Sequence, residues 1–256
     1  MQVEVWGFPE FEVVPAGHLI AMHHYGGTCI GAFEGDRMVG FVCGFPGWDH
    51  GHAFHHSHML AVVPEFRGQR LGEALKWAQR ERVLAQDLSL INWTFDPLQA
   101  PNANLNINVL GAVAGRYKVN LYGESDSPLH GGIPTDRFEA EWHLSDERVT
   151  NILAGRSNSD PSWEALRLAN RTRRNDDGLL ECEGIELGID DDAVLIEVPR
   201  TITDLMERDR DLALRWRLDT RRLFQDYFAR GYCVHELHRG ETTAFYRLVR
   251  VANAAE

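Results

Sequence analysis

The sequence is poor in cysteine. Its four residues, Cys29, Cys43, Cys182 and Cys233, lie far apart with no Cys-x-x-Cys spacing, which argues against a disulfide framework and a thiolate zinc site. No apolar run approaches the roughly 18 to 20 residues that a bilayer crossing takes. The first twelve residues mix acids with apolar side chains, where a secretory leader would be basic and then apolar. A cytoplasmic protein with no membrane partner is expected. Positive charge is also scarce: 26 Lys and Arg against 38 Asp and Glu give a net charge of −12, a field that repels a phosphate backbone and argues against nucleic acid as a partner. Neither Gly-Lys-Ser/Thr of a P-loop nor Gly-x-Gly-x-x-Gly occurs, and no internal period suggests a solenoid.

What is there is an ordinary globular balance, 44% hydrophobic and 25% charged, over 256 residues, enough for one full domain and an extension. We place a first domain at 1–145 and an extension at 146–256. Five of the nine Lys and Arg in the first of these, Arg67, Arg70, Lys76, Arg80 and Arg82, fall in one short segment of an otherwise acidic chain. Residues 29–33 and 39–44 read as a hairpin across Glu34-Gly35-Asp36-Arg37, and 53–63 as a strand with His56, His58, Leu60 and Val62 on one face. Residues 71–87 carry Leu71, Ala74, Leu75, Ala78 and Ala85 at helical spacing. Residues 88–95 are a further strand, a short helix at 102–110 is closed by Gly111, and 117–122 and 137–143 supply two more strands.

In the second part, 151–192 is irregular, with turn clusters at Asn158-Ser159-Asp160-Pro161 and Asn175-Asp176-Asp177-Gly178 and some helix about 163–173. A strand at 193–198, a long helix with Leu212, Trp216, Leu223 and Tyr227 on one face, and a hairpin of 232–237 with 243–251 follow. The order repeats that of 90–143, which suggests a partial internal repeat. Before the first hairpin, Trp6 and Phe8 through Leu19 and Met22 supply helix and no clear strand. A sheet edge left uncovered there would invite pairing with a second chain as a homodimer.

The segment from Leu60 to Gly72, LAVVPEFRGQRLG, concentrates the chemistry. A strand that enters a tight loop and then a helix presents unpaired amides and the positive end of the helix dipole, a ready site for pyrophosphate. Arg67 and Arg70 add positive charge, and Gly68 and Gly72 permit close approach of the backbone. The alternative is a plain strand-to-helix turn with solvated arginines.

Leu60, Val62, Pro64, Arg67 and Gly72 resemble the signature of the GNAT superfamily of acyl-CoA-dependent N-acyltransferases, over about residues 13–145. Arg70 departs from it, standing where the family usually has its first glycine. The run Trp93 to Gln99 and the helix Lys76 to Glu81 resemble a bacterial subgroup with a C-terminal extension, some members of which succinylate amino acids. The resemblance implies a mixed α/β GNAT fold with a mixed sheet and a partial GNAT-like extension. It also implies acyl-CoA, as acetyl-CoA or succinyl-CoA, for a co-substrate. The backbone of Leu60, Ala61 and Val62 would pair with the pantetheine arm, and the amides of Arg67, Gly68, Gln69, Arg70, Leu71 and Gly72 would hold the pyrophosphate. Asn102 and Asn106 of the short helix would touch the arm or else cap the helix. Ile107 replaces the tyrosine that many members use as acid for the leaving thiolate.

Acyl transfer to an amine needs a base, and His56 and His58 have the right intrinsic pKa and share one strand face; the alternative is that they are packing residues. Asp96 and Glu73 are weaker candidates. The cluster His50, His52, His55, His56 and His58 is no convincing metal site, because alternation turns His55 away and no cysteine is near. The expectation is an acetyl- or succinyltransferase acting directly on a small-molecule amine, an amino acid among the options, with no metal. The competing reading is a non-catalytic acyl-CoA or effector-binding module.

Overall fold

Alternating burial and glycine-containing turns divide the chain into strands, which the computed structural model describes over residues 1–7, 9–49, 51–123, 132–156 and 162–251. Phe8, His50 and the turn cluster Asn158-Ser159-Asp160-Pro161 lie outside the described residues. Two compact units result. Among the described residues the first holds 1–93 and 141–150, and the second 94–123, 132–140 and 151–251.

The first unit opens with α1 (Gln2–Trp6), a 3₁₀ turn at Glu10–Glu12 and α2 (Ala16–His24), and no strand precedes Thr28 among the described residues. β1 (Thr28–Glu34) and β2 (Arg37–Asp49) form the expected hairpin around Gly35, whose φ of 57° only glycine adopts easily. β3 (His52–Val62), α3 (Leu71–Leu84) and β4 (Leu90–Phe95) follow. Strands run in the order β1–β2–β3–β4, antiparallel except for β3 with β4, so the sheet is mixed. The buried face of β3, made by His55, Ser57, Met59 and Ala61, is covered by α3.

The helix does not bury the face its apolar spacing predicts. Leu75, Lys76, Gln79, Arg80 and Val83 are buried while Ala74 and Ala78 are exposed. Polar side chains win the inner face because each finds partners there. Lys76 Nζ donates to Ser57 Oγ at 2.9 Å and lies 3.6 Å from the Trp93 ring centroid; Arg80 donates through Nε and Nη2 to Leu144 O at 3.0 and 2.7 Å.

The second unit contains α4 (Ala100–Asn104), continued by a π-turn at Leu105–Val109, then β5 (Val113–Lys118), the first four residues of β6 (Arg137–His143), the end of α5 (Glu147–Leu153), β7 (Arg167–Leu168), β8 (Asn170–Arg174), β9 (Leu180–Ile185) and β10 (Ala193–Pro199). It ends with α6 (Ile202–Arg208), α7 (Arg210–Ala229), β11 (Tyr232–Arg239) and β12 (Thr243–Arg250). Its strands run β6–β5–β11–β12–β10–β7, and β8 pairs with β9 apart from them. The helix expected about 163–173 is instead a 3₁₀ turn at Trp163–Ala165 followed by β7 and β8. The strand expected at 117–122 ends at Lys118, because Asn120 turns the chain at φ 46°. Helix α7 is as its pattern predicts, capped by Asp209 accepting from Leu212 N, with Leu212, Trp216, Leu223 and Tyr227 buried. Phe138 packs edge-on against Phe224 at 4.6 Å and Tyr246 at 5.5 Å in its core. No helix among the described residues is long and apolar enough to cross a membrane.

Candidate active site

β3 is fully paired on one side only. It runs beside β2 from His52 opposite Asp49 to Val62 opposite Gly40, but meets β4 at just two positions, His55 with Ile91 and His56 with Asn92. Beyond them no further pair forms, and among the described residues the main chain from Ser57 to Val62, with Leu60 and Ala61, has no strand against it on that side. The β2–β3 register slips where Cys43 faces Met59 and Gly44 faces Ser57, so His58 is the extra residue of a bulge. The bulge requires Gly44: a Cβ there would lie 2.3 Å from His56 O and 2.5 Å from His55 Nε2.

The loop after β3 reaches α3 through a 3₁₀ turn at Pro64–Phe66. Gly68 and Arg70 both take left-handed backbone angles, φ 78° and 60°. The arginine in the family's glycine position therefore keeps the path a glycine would take, at a cost of about 1 kcal/mol. Its guanidinium is clamped on Glu73, Nε to Oε2 and Nη2 to Oε1, both at 2.7 Å. That bond holds the Glu73 carboxyl below its usual range, so Glu73 is a poor base. The first amide to donate into the helix is Ala74 N, to Arg70 O at 3.0 Å. The amides of Gly68, Gln69, Arg70, Leu71, Gly72 and Glu73 come before it and have no acceptor among the described residues. Arg67 folds back, donating from Nε to Val62 O at 3.2 Å, and Gln69 Nε2 donates to Glu65 O at 3.2 Å.

His56 and His58 share the outward face of β3 with their rings 6.1 Å apart, both against Phe45 at 5.3 and 5.8 Å. His56 Nδ1 is 2.8 Å from Asn92 Oδ1. With the amide oxygen as acceptor, the proton sits on Nδ1 and the Nε2 lone pair is free to take another. Burial, with His56 and His18 nearby, holds the His58 imidazole below its ordinary range. Asn92 is a polar partner the sequence reading passed over; its signal was the alternation of Leu90, Asn92 and Thr94 on the less buried face of β4.

The other face of β3 is structural. His55 Nε2 lies 3.1 Å from Thr28 Oγ1, and burial, reinforced by Lys76 and His56, pushes its imidazole down to about 4. Burial likewise takes the Lys76 ammonium well below its ordinary value. No group of three or more metal-ligating side chains converges among the described residues.

The remaining sequence candidates belong to the second unit. Asn102 is exposed on α4, whereas Asn106 and Ile107 in the π-turn are buried. The π-turn is marked by Leu110 N donating to Leu105 O at 2.9 Å. Asp96 accepts from Arg217 Nη1 and Nη2 at 2.8 and 2.7 Å, which outweighs burial and keeps its carboxyl below the usual range. It is an anchor for Arg217 and no base.

Residues 3–105 match the model of the acetyltransferase (GNAT) family. This segment belongs to that family. The fold of the GNAT segment, a mixed α/β arrangement with a strand–loop–helix element at its centre, is the one its signature implies. No curated protein matches the chain. Among solved structures it is similar to a GNAT family acetyltransferase from Elizabethkingia anophelis with acetyl-CoA bound (15% identity, 53% of this chain and 94% of that one, TM-score 0.40). It is also similar to the ribosomal-protein-S18-alanine N-acetyltransferase from Escherichia coli (15%, 52% and 92%, 0.40). A third is Chaetomium thermophilum Naa20 in complex with a bisubstrate analogue (13%, 54% and 80%, 0.42).

Proposed function

We propose that the protein is an N-acyltransferase that moves an acetyl or succinyl group from acyl-CoA directly to the amine of a small molecule, an amino acid among the candidates. The observation that carries this reading is the unpaired edge of β3 running into a loop whose amides are outside the helix ladder. A pantetheine arm is itself a chain of amides and fits the first; a pyrophosphate fits the second. Leu60, Ala61 and Val62 would hold the arm through their main chain. Arg67, Gly68, Gln69, Arg70, Leu71 and Gly72 would hold the phosphates.

The acceptor amine reaches neutral pH as an ammonium and attacks only after losing a proton. His56 is the base we favour, since Asn92 fixes its ring and leaves Nε2 open; His58 beside it is the other candidate, neutral at pH 7. Once the thioester carbon is bound near these rings, their work is to accept that proton and pass it to solvent. Replacing either by Gln keeps size and polarity but removes proton acceptance, and loss of a positioned base costs about 10² to 10⁴-fold in rate. The test is release of free CoA thiol from acetyl-CoA and succinyl-CoA with a panel of amines, for the wild type, His56→Gln and His58→Gln. Turnover by both variants at the wild-type rate would remove the pair from catalysis. A second reading, an acyl-CoA-binding module without turnover, is favoured by buried Ile107, which provides no hydroxyl for the leaving thiolate. It predicts CoA binding by calorimetry with no thiol release for any amine.

A further inference from the structure

Three guanidinium groups and two carboxylates are set together in the second unit, and the carboxylates are already well supplied. Asp136, fully buried, accepts from Arg221 Nε and Nη2 at 2.8 Å each, from Tyr117 Oη at 2.8 Å and from Asn120 N at 2.9 Å. Asp96 accepts two bonds from Arg217 and one from Leu98 N at 2.8 Å. The third cation, Arg137, is the surplus one. It is 8% exposed, its Nη1 donates to the main-chain oxygen of Asp136 at 3.1 Å, and the same nitrogen stands off Asp96 Oδ2 at 3.4 Å. Its Nε and Nη2 have no acceptor among the described residues.

Those two nitrogens form the edge of a guanidinium whose parallel N–H bonds match the two oxygens of a carboxylate. Arg221 shows the geometry on Asp136 in the same unit. Tyr122 lies against Arg137, its ring 5.4 Å from the guanidinium carbon, and its hydroxyl is 3.2 Å from Thr94 Oγ1. An aromatic wall beside a free fork leaves the edge in one defined orientation. The five side chains carry a net charge of +1 in a protein whose total is −12. A buried positive surplus of one unit is neutralised by a monoanion and over-neutralised by a phosphate dianion.

We propose that the Nε and Nη2 edge of Arg137 binds the carboxylate of a small organic acid. The choice of ligands rests on the acyl-transfer reading, which brings two kinds of small acid to the protein, an amino acid and a succinyl group.

The full chain, labelled with ¹⁵N in arginine, is titrated with L-phenylalanine, with succinate and with phenylalaninamide, following the Arg137 Nε–H resonance assigned by its loss in Arg137→Gln. At least one acid shifts this resonance and the amide does not. Arg137→Lys keeps a cation opposite Asp96 and so preserves the fold, but it lacks the fork; acid affinity falls about 10- to 100-fold. Absence of a shift with either acid, or equal affinity of wild type and Arg137→Lys, overturns the proposal. The two titrations separate the sources: a shift with L-phenylalanine alone assigns the site to an amino-acid carboxylate, and a shift with succinate alone assigns it to a dicarboxylic acid. Binding that depends on Arg137 in a protein that turns over no acyl-CoA upholds the site and removes the acyl-transfer reading.

Discussion

Asn92 Oδ1 stands 2.8 Å from His56 Nδ1 at the last residue pair before β3 and β4 separate. The bond orients an imidazole at the point where the sheet opens, and it joins a neutral amide to the ring where a carboxylate would have raised its basicity.

Changing that partner should therefore move both rate and pH profile. Asn92→Ala frees the ring to turn and should lower kcat/KM about 10-fold with acyl-CoA affinity unchanged. Asn92→Asp places a negative charge on Nδ1–H, favours the imidazolium and should shift the acid limb of kcat/KM upward by about one pH unit. Initial rates between pH 5.5 and 9 check both, and identical limbs in all three proteins would place the base elsewhere.

His55 should make stability depend on pH. Its imidazole is pushed down to about 4 in the folded chain, while in the unfolded chain it titrates near its ordinary 6.5. Between these values the unfolded state binds more protons, so stability is fully present above about pH 6.5 and is lost as pH falls toward 4. The loss should be about 2 to 3 kcal/mol. Urea unfolding at pH 7 and pH 4.5 should show a smaller difference for His55→Gln than for the wild type.

Asp96→Asn should destabilise the protein by about 3 to 5 kcal/mol, since Arg217 would keep its buried charge without the carboxylate that pairs with it. Thermal unfolding reads this directly. If Asp96 were instead a base, the variant would keep its melting temperature and lose turnover.

Gly44→Ala should cost about 1 to 3 kcal/mol and flatten the bulge, because the added carbon meets the main-chain oxygen of His56. Circular dichroism melting gives the stability, and the cross-peaks between the rings of Phe45, His56 and His58 should weaken.

Where burial alternates with a period of two or follows one apolar stripe, the elements could be read from the chain: β3, the β1–β2 hairpin and α7 are of this kind. β8 could not, since Asn170–Arg174 is largely polar and among the described strands pairs with β9 alone, so no hydrophobic period marks it. The inner face of α3 was hidden for a related reason. Lys76, Gln79 and Arg80 are buried by hydrogen bonds to residues distant in sequence, and spacing rules count only apolar residues. At the site, His56, His58 and the Leu60 to Gly72 segment stood out by residue type and order. Asn92 gained its meaning only when two strands distant in sequence were set side by side, and Arg137 only when the carboxylates around it were found committed elsewhere.

The left-handed angle of Arg70 has a thermodynamic corollary for whatever anion the loop receives. An unliganded glycine at that position would wander between both signs of φ and surrender the freedom on association. Arginine, tied to Glu73, has fewer shapes to lose, and that restriction is met when the chain folds. The loop thus has less freedom to lose at this position, and capture of a phosphate should cost less ordering entropy than it would with glycine there.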